Sequence, residues 1–252
     1  MINLFTPFLF SRRFSLGQSL FALTLAGFAL YSPRVLAQTL PLSEDLIDLN
    51  SPAGQTLLQE SEAQADFVPL MAQYVTQENQ AFCGVASVVM VLNGLGIAAP
   101  NAPEWNRNYF TQDNVLNADT EAVIPRAKIA RQGLTLEELS GIFASYPVEV
   151  VRHHGGDVGL DEFRELIVTN LAESDNFVVV NYLRRAIGQE RGGHISPLGA
   201  YDAGSDQVLI LDVSRYKYPP VWVEMEALWK ATNTVDSVSG LTRGIVVVSA
   251  DR

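Results

Sequence analysis

One sulfur nucleophile is available to this 252-residue chain, Cys83. It sits in the stretch Gln77–Leu95, QENQAFCGVASVVMVLNGL. Val85, Val88, Val89 and Leu92 follow it at helical spacing, and Asn93-Gly94 with Gly96 supplies a stop. The spacing predicts a helix with a buried face and Cys83 at or just before its first turn. A helix N-terminus offers unpaired N–H groups and the positive end of the macrodipole, which favours a thiolate. The polar run Gln77-Glu78-Asn79-Gln80 can bring amide donors near the sulfur. A lone cysteine is equally a small buried hydrophobe, so the residue type alone leaves both readings open.

A thiol nucleophile needs a base, and the base needs a group that orients it. The chain has three histidines. His153 and His154 precede Gly155-Gly156-Asp157 and read as the end of a strand running into a turn. With Asp157 they could form a weak metal site, but no further ligand has suitable spacing. His194 follows Arg191-Gly192-Gly193 and opens a strand. Asp212 comes 18 residues later, inside the apolar run Val208–Val213. A buried carboxylate there needs a partner. If His194 and Asp212 stand at matching ends of paired strands, the carboxylate accepts from one ring nitrogen and the other reaches Cys83. The plainer alternative is a strand-edge histidine and an aspartate that caps a turn.

These residues need elements to hold them. Gln38 to about Ser61 reads as a polar surface wrap, and Ala63–Val75 has little period. Pro100–Asn117 reads as a loop whose Trp105, Tyr109 and Phe110 pack on the core. Leu134–Tyr146 is a helix with a capping box at Thr135 and Glu138, stopped by Pro147. Val148–Arg152 is a short strand, and Asp161–Leu171 is a helix. The period then changes to strands at Phe177–Tyr182, Ile195–Tyr201, Gln207–Val213 and Leu241–Val248, with a helix at Met225–Thr232. The Ala203-Gly204-Ser205-Asp206 turn joins the middle two strands as a hairpin. Helices first and a mostly antiparallel sheet second is an α+β pattern.

With 48% hydrophobic and 18% charged residues, the composition is that of a globular protein. Residues 1–37 differ. They hold no acid, three arginines (Arg12, Arg13, Arg34) and the apolar run Gly17–Leu30, ending in Val35-Leu36-Ala37. This reads as a secretory signal peptide cut before Gln38, and so an exported, periplasmic or extracellular protein. An uncleaved N-terminal membrane anchor is the alternative. Without the three arginines the net charge moves from −11 to −14, which argues against nucleic-acid and anionic-membrane partners. One cysteine permits no internal disulfide. A single free thiol in an exported protein points towards a cysteine kept for its chemistry.

Asn79–Ser87 (NQAFCGVAS), Gly193–Gly199 (GHISPLG) and Leu211–Val223 (LDVSRYKYPPVWV) resemble the catalytic domain of phytochelatin synthases. The likeness runs from about Phe67 to Val248 and is closest to the short, single-domain bacterial members. It implies a papain-like cysteine-protease fold, in which a helical part carries the nucleophile helix against the sheet, over 38–252. It implies a triad of Cys83, His194 and Asp212, with Gln77 as an oxyanion donor. It also implies that Arg184 and Arg243 grip a γ-glutamyl carboxylate in a pocket lined by Asn181 and Gly193, Arg185 being the ambiguous neighbour of Arg184.

The implied substrate is glutathione or a related γ-glutamyl thiol peptide. Cys83 would cleave the Cys–Gly bond, release glycine, and pass the γ-Glu-Cys group to water or to a second glutathione. The resemblance ties such an activity to heavy-metal detoxification or glutathione turnover. No cofactor and no protein-bound metal site are expected. Heavy-metal ions such as Cd²⁺ and Zn²⁺ would enter as glutathione thiolate complexes, that is, as substrate. A homodimer is compatible with this reading. The rivals are a general papain-like peptidase, for which the two arginines are incidental, and a non-catalytic thiol-peptide or metal-binding protein in which Cys83 ligates.

Overall fold

The computed structural model describes residues 39–251. The expected export segment and its cut before Gln38 fall outside them. Among the described residues no helix is long and apolar enough to cross a membrane.

In chain order the strands are β1 (Ile47–Asp48), β2 (Asn101–Ala102), β3 (Arg107–Asn108), β4 (Val148–His154), β5 (Asn176–Leu183), β6 (Gly193–Asp202), β7 (Gln207–Ile210), β8 (Val221–Glu224) and β9 (Gly244–Ala250). The helices are α1 (Pro52–Glu60), α2 (Phe67–Ala72), α3 (Cys83–Gly94), α4 (Ala118–Val123), α5 (Arg126–Gln132), α6 (Leu136–Phe143), α7 (Leu160–Ala172) and α8 (Met225–Thr232). A seven-stranded antiparallel sheet in the order β1-β8-β7-β6-β5-β9-β4 forms the middle layer, and β2 and β3 make a separate hairpin. The class is α+β, as the order of elements predicts.

The sheet is covered on both faces, so its strands read as unbroken apolar runs. The alternation is still visible in where each side chain goes. Phe177, Val179, Val246 and Val248 pack with α3 and α6 on one face. Val178, Val180, Tyr182 and Ile245 pack with α7 and α8 on the other. Helix α3 buries every residue from Cys83 to Leu92. Each fully buried Val or Leu there contributes about 1.5–3 kcal/mol, so α3 is held by its surroundings on all sides. The capping box on α6 is present: Thr135 accepts from the Glu138 N–H, and Glu138 accepts from the Thr135 N–H.

Three expectations need correction. Residues 38–61 are not only a surface wrap, because they contain α1 and the edge strand β1, which pairs with β8. Of the aromatics in the 100–117 stretch, Phe110 is core, but Trp105 is exposed and meets Tyr109 edge-on. The strand bearing the acid ends at Ile210, so Asp212 lies just beyond β7 rather than within it.

Candidate active site

Cys83 is the first residue of α3, where backbone N–H groups have no helical partner. Two features bring β6 against it. Ser87 donates to the Cys83 carbonyl at 2.8 Å and to the Ile195 carbonyl of β6 at 3.3 Å. Gly84 leaves room for close packing, since a Cβ there would lie 2.7 Å from Leu134 Cδ1 and 3.2 Å from Ile195 Cδ1. His194 is the second residue of β6. The β6–β7 hairpin returns the chain to the same end of the sheet, with the Leu211 N–H donating to the Pro197 carbonyl at 2.9 Å. Asp212 follows at once. The matching-ends arrangement foreseen from the spacing is the one observed.

Asp212 is fully buried and receives four donors. His194 Nε2 lies 2.9 Å from its Oδ1. Arg184 donates to both oxygens at 2.8 and 2.9 Å, and the Ser214 N–H donates to Oδ1 at 2.8 Å. Burial opposes its charge, but His194 and Arg184 more than offset this and hold the carboxyl below the usual carboxylate range. It is therefore ionised and accepts from Nε2–H. That leaves Nδ1 for Cys83, the tautomer a triad requires. Ser196 Oγ sits 3.0 Å from the same Nε2, and Tyr182 meets the ring edge-on at 5.7 Å between centroids.

The thiol and the imidazole shift each other. Burial pushes the Cys83 thiol up, but hydrogen bonding and charge from His194, the Ile195 backbone and the Arg184 charge outweigh it and bring it below its ordinary value. Burial, with the Arg184 charge, pushes His194 down, yet the charge and hydrogen bond of Asp212 and the hydrogen bond of Cys83 together outweigh it and the imidazole is raised. Opposite shifts of this kind favour a thiolate–imidazolium pair.

Cys83 and His194 open into a cavity of about 750 Å³. Asn79, Ala81 and the Arg131–Leu134 segment line one part of it, and Asn181, Gly193, Asp236 and Arg243 another. Arg243 is buried. It donates through Nη1 to the Thr234 and Val235 carbonyls, its Nη2 lies 3.7 Å from Asp236, and its Nε–H has no partner among the described residues. The Asn181 amide nitrogen is likewise buried and without a partner. Gly193 has no side chain where one would crowd this guanidinium, since a Cβ would lie 3.3 Å from Arg243 Nε. Two unused N–H donors in the cavity with Cys83 suit an anionic, oxygen-rich ligand.

Two residues stand elsewhere than expected. Arg184 does not line the cavity. Its guanidinium is committed to Asp212 and Gln189 and lies over the Tyr218 ring, so the expectation that it grips substrate is corrected: it braces Asp212. Arg185 is exposed and close enough to disfavour the charge on Arg243. Gln77 is buried on the approach to Cys83, with Oε1 accepting from Ser214 at 2.8 Å and Nε2 donating to the Asn79 carbonyl at 2.7 Å and to Tyr216 at 3.2 Å. Both its amide hydrogens are thus engaged within the protein. Asp236, Ser196 and Ser214 were not foreseen. Asp236 lies seven residues before Arg243 in a loop, and only the acid–base pairing hints at it.

A family model described as phytochelatin synthase matches residues 37–245. The chain belongs to the phytochelatin synthase family. Among its curated relatives, glutathione gamma-glutamylcysteinyltransferase 3 of Lotus japonicus is 34% identical over 210 residues, covering 82% of this chain and 43% of that protein. Glutathione gamma-glutamylcysteinyltransferase of Schizosaccharomyces pombe is 29% identical over 183 residues, covering 73% of this chain and 43% of that protein. The chain spans less than half the length of these phytochelatin synthase relatives. Among solved structures it is similar to xylellain, a cysteine protease from Xylella fastidiosa, at 12% identity and a TM-score of 0.37, covering 86% of this chain and 88% of that one. The peptidase domain of Streptococcus ComA gives 14% identity and a TM-score of 0.41, covering 70% and 96% respectively.

Proposed function

We propose that this phytochelatin synthase family member catalyses cysteine-dependent acyl transfer on glutathione. The observation that carries the reading is the juxtaposition of the Cys83–His194–Asp212 constellation with the Arg243–Asp236 pair in one cavity. A γ-glutamyl end is zwitterionic. Its α-carboxylate suits Arg243 Nε and Asn181, and its α-ammonium suits Asp236. Held there, glutathione presents its Cys–Gly amide to the sulfur.

The Cys83 thiolate attacks that carbonyl. The first-turn N–H of α3 donates to the developing oxyanion, and Gln77 can join it by releasing Tyr216; each such donor is worth roughly 3 kcal/mol. The C–N bond breaks as the His194 imidazolium gives its Nδ1 proton to the departing glycine nitrogen. A γ-Glu-Cys thioester on Cys83 remains. Water, or the α-amine of a second glutathione, then loses a proton to His194 as it attacks the thioester, and Cys83 leaves. Asp212 keeps the imidazole in the required tautomer throughout. Cd²⁺ or Zn²⁺ enters this scheme as a thiolate complex of the acceptor glutathione.

The experiment is product analysis. The chain from Gln38 is incubated with reduced glutathione, with and without Cd²⁺, and products are followed by mass spectrometry. Glycine with γ-glutamylcysteine indicates that water resolves the thioester. Chains of the form (γ-Glu-Cys)n-Gly indicate that glutathione does. No glycine release by a folded, reduced sample contradicts the proposal.

A further inference from the structure

We infer that His154 is a positioning residue for the substrate clamp, fixing the loop that delivers Arg243 to the cavity. The inference rests on the reading of Arg243 given above. From the sequence, His153-His154-Gly155-Gly156 reads as a strand end running into a turn, at most a weak metal site. In the structure this stretch grips Thr242-Arg243-Gly244 from the outside of the sheet.

The contacts are specific. His154 Nδ1 hydrogen-bonds the Thr242 carbonyl, and Nε2 lies 2.9 Å from Glu137 Oε1 on α6. The Gly155 N–H donates to the Arg243 carbonyl at 2.7 Å, and the Gly156 N–H donates to Thr242 Oγ1 at 3.1 Å. From the other side, the Arg243 N–H donates to the Thr234 carbonyl at 3.0 Å. Arg243 is therefore held at its backbone by two neighbouring segments, while its Nε–H stays free for ligand.

The glycines allow this grip. A Cβ on Gly155 would lie 2.6 Å from the Thr232 carbonyl carbon, and one on Gly244 would lie 2.0 Å from the His153 carbonyl oxygen. Only bare backbone lets the three strands of chain approach so closely.

The chemistry of the bridge makes it rigid. A backbone carbonyl only accepts, so Nδ1 must carry a proton. Nε2 makes a close contact with Glu137 Oε1 but no hydrogen bond to it. Both Glu137 oxygens are buried and have no hydrogen-bond partner among the described residues. The Nδ1 hydrogen bond to the Thr242 carbonyl thus ties the clamp loop to β4, with the far edge of the ring against α6. A clamp fixed in this way binds without first ordering its loop, and the gain appears in substrate affinity.

The test compares glutathione with its analogue lacking the α-carboxylate, γ-aminobutyryl-Cys-Gly, in the wild-type chain and in His154→Ala, His154→Asn and Arg243→Ala. Glycine release gives kcat and KM. His154→Ala should raise KM for glutathione about tenfold with kcat within about threefold, and should leave kcat/KM for the analogue unchanged. His154→Asn keeps a donor for the Thr242 carbonyl without reaching Glu137, and it should fall between wild type and His154→Ala. Equal losses on both substrates, or a fall in kcat alone, would mean that His154 only stabilises the fold, and would overturn the inference. If Arg243→Ala discriminates between the substrates while neither His154 variant does, only the positioning role fails. If Arg243→Ala treats both alike, the clamp reading fails and takes this inference with it.

Discussion

Arg184 and Asp212 form a fork-to-fork pair inside the protein, two guanidinium nitrogens on two carboxylate oxygens at 2.8 and 2.9 Å, with side chains 5% and 0% exposed. The same carboxylate orients His194. Asp212 is thus braced by a residue that never meets the cavity, and Arg184 and His194 share one of its atoms, Oδ1.

Removing the brace leaves a buried charge without its counter-ion. Arg184→Met should destabilise the fold by about 3–5 kcal/mol, read as a lower midpoint in urea unfolding. A substrate-gripping arginine would instead give an unchanged midpoint and a raised KM.

The opposite shifts of Cys83 and His194 set the pH profile. Because the thiol is lowered, alkylation by iodoacetamide should persist below the ordinary thiol range, falling only when pH drops through the lowered value. Because the imidazole is raised, glycine departure should continue above the ordinary histidine range and fall as pH rises through the raised value. Asp212→Asn removes the main factor raising His194, so the alkaline limb should move to lower pH. The variant should also lose about 10³–10⁴ in kcat through the wrong tautomer.

Much of this site was legible. Valines at helical spacing placed Cys83 at the head of a buried helix, and the hairpin turn put His194 and Asp212 at one end of the sheet. What stayed hidden has physical causes. Helices α4 and α5 are six and seven residues long, too short for a period to register. Helix α1 buries only Gly54 fully, so its sequence reads as polar surface. The Arg184–Asp212 pair joins residues 28 apart, and nothing local says whether a guanidinium faces a ligand or an acid. The resemblance gave Arg184 a substrate role that its burial against Asp212 removes.

Asp66 is fully buried, and neither of its oxygens has a hydrogen-bond partner among the described residues. Burial pushes its carboxyl up to about 8. The native state therefore keeps a proton that the unfolded chain releases near pH 4, and stability should fall as pH rises between about 4 and 8. The full effect is on the order of 5 kcal/mol. Asp66→Asn should flatten this slope in unfolding measurements across that range.

Gly244 begins β9 directly after the clamp arginine, against the His153 carbonyl. Gly244→Ala should force β4 and β9 apart there and cost about 1–3 kcal/mol. Hydrogen exchange should rise at the Gly155 amide, whose acceptor is Arg243.

Gln77 can meet an oxyanion only by giving up a bond it already makes. Tyr216→Phe frees one amide hydrogen and should leave kcat equal to or above wild type. Gln77→Ala should lower kcat about 10²–10³-fold. Steady-state glycine release measures both.

The most direct test of the central claim is intact-mass analysis of the chain quenched in acid during turnover of glutathione. A covalent γ-glutamylcysteinyl adduct should map to Cys83, build up before the steady state, and be absent in Cys83→Ser. Glycine release without any such adduct, or release that survives in Cys83→Ser, would contradict the central claim.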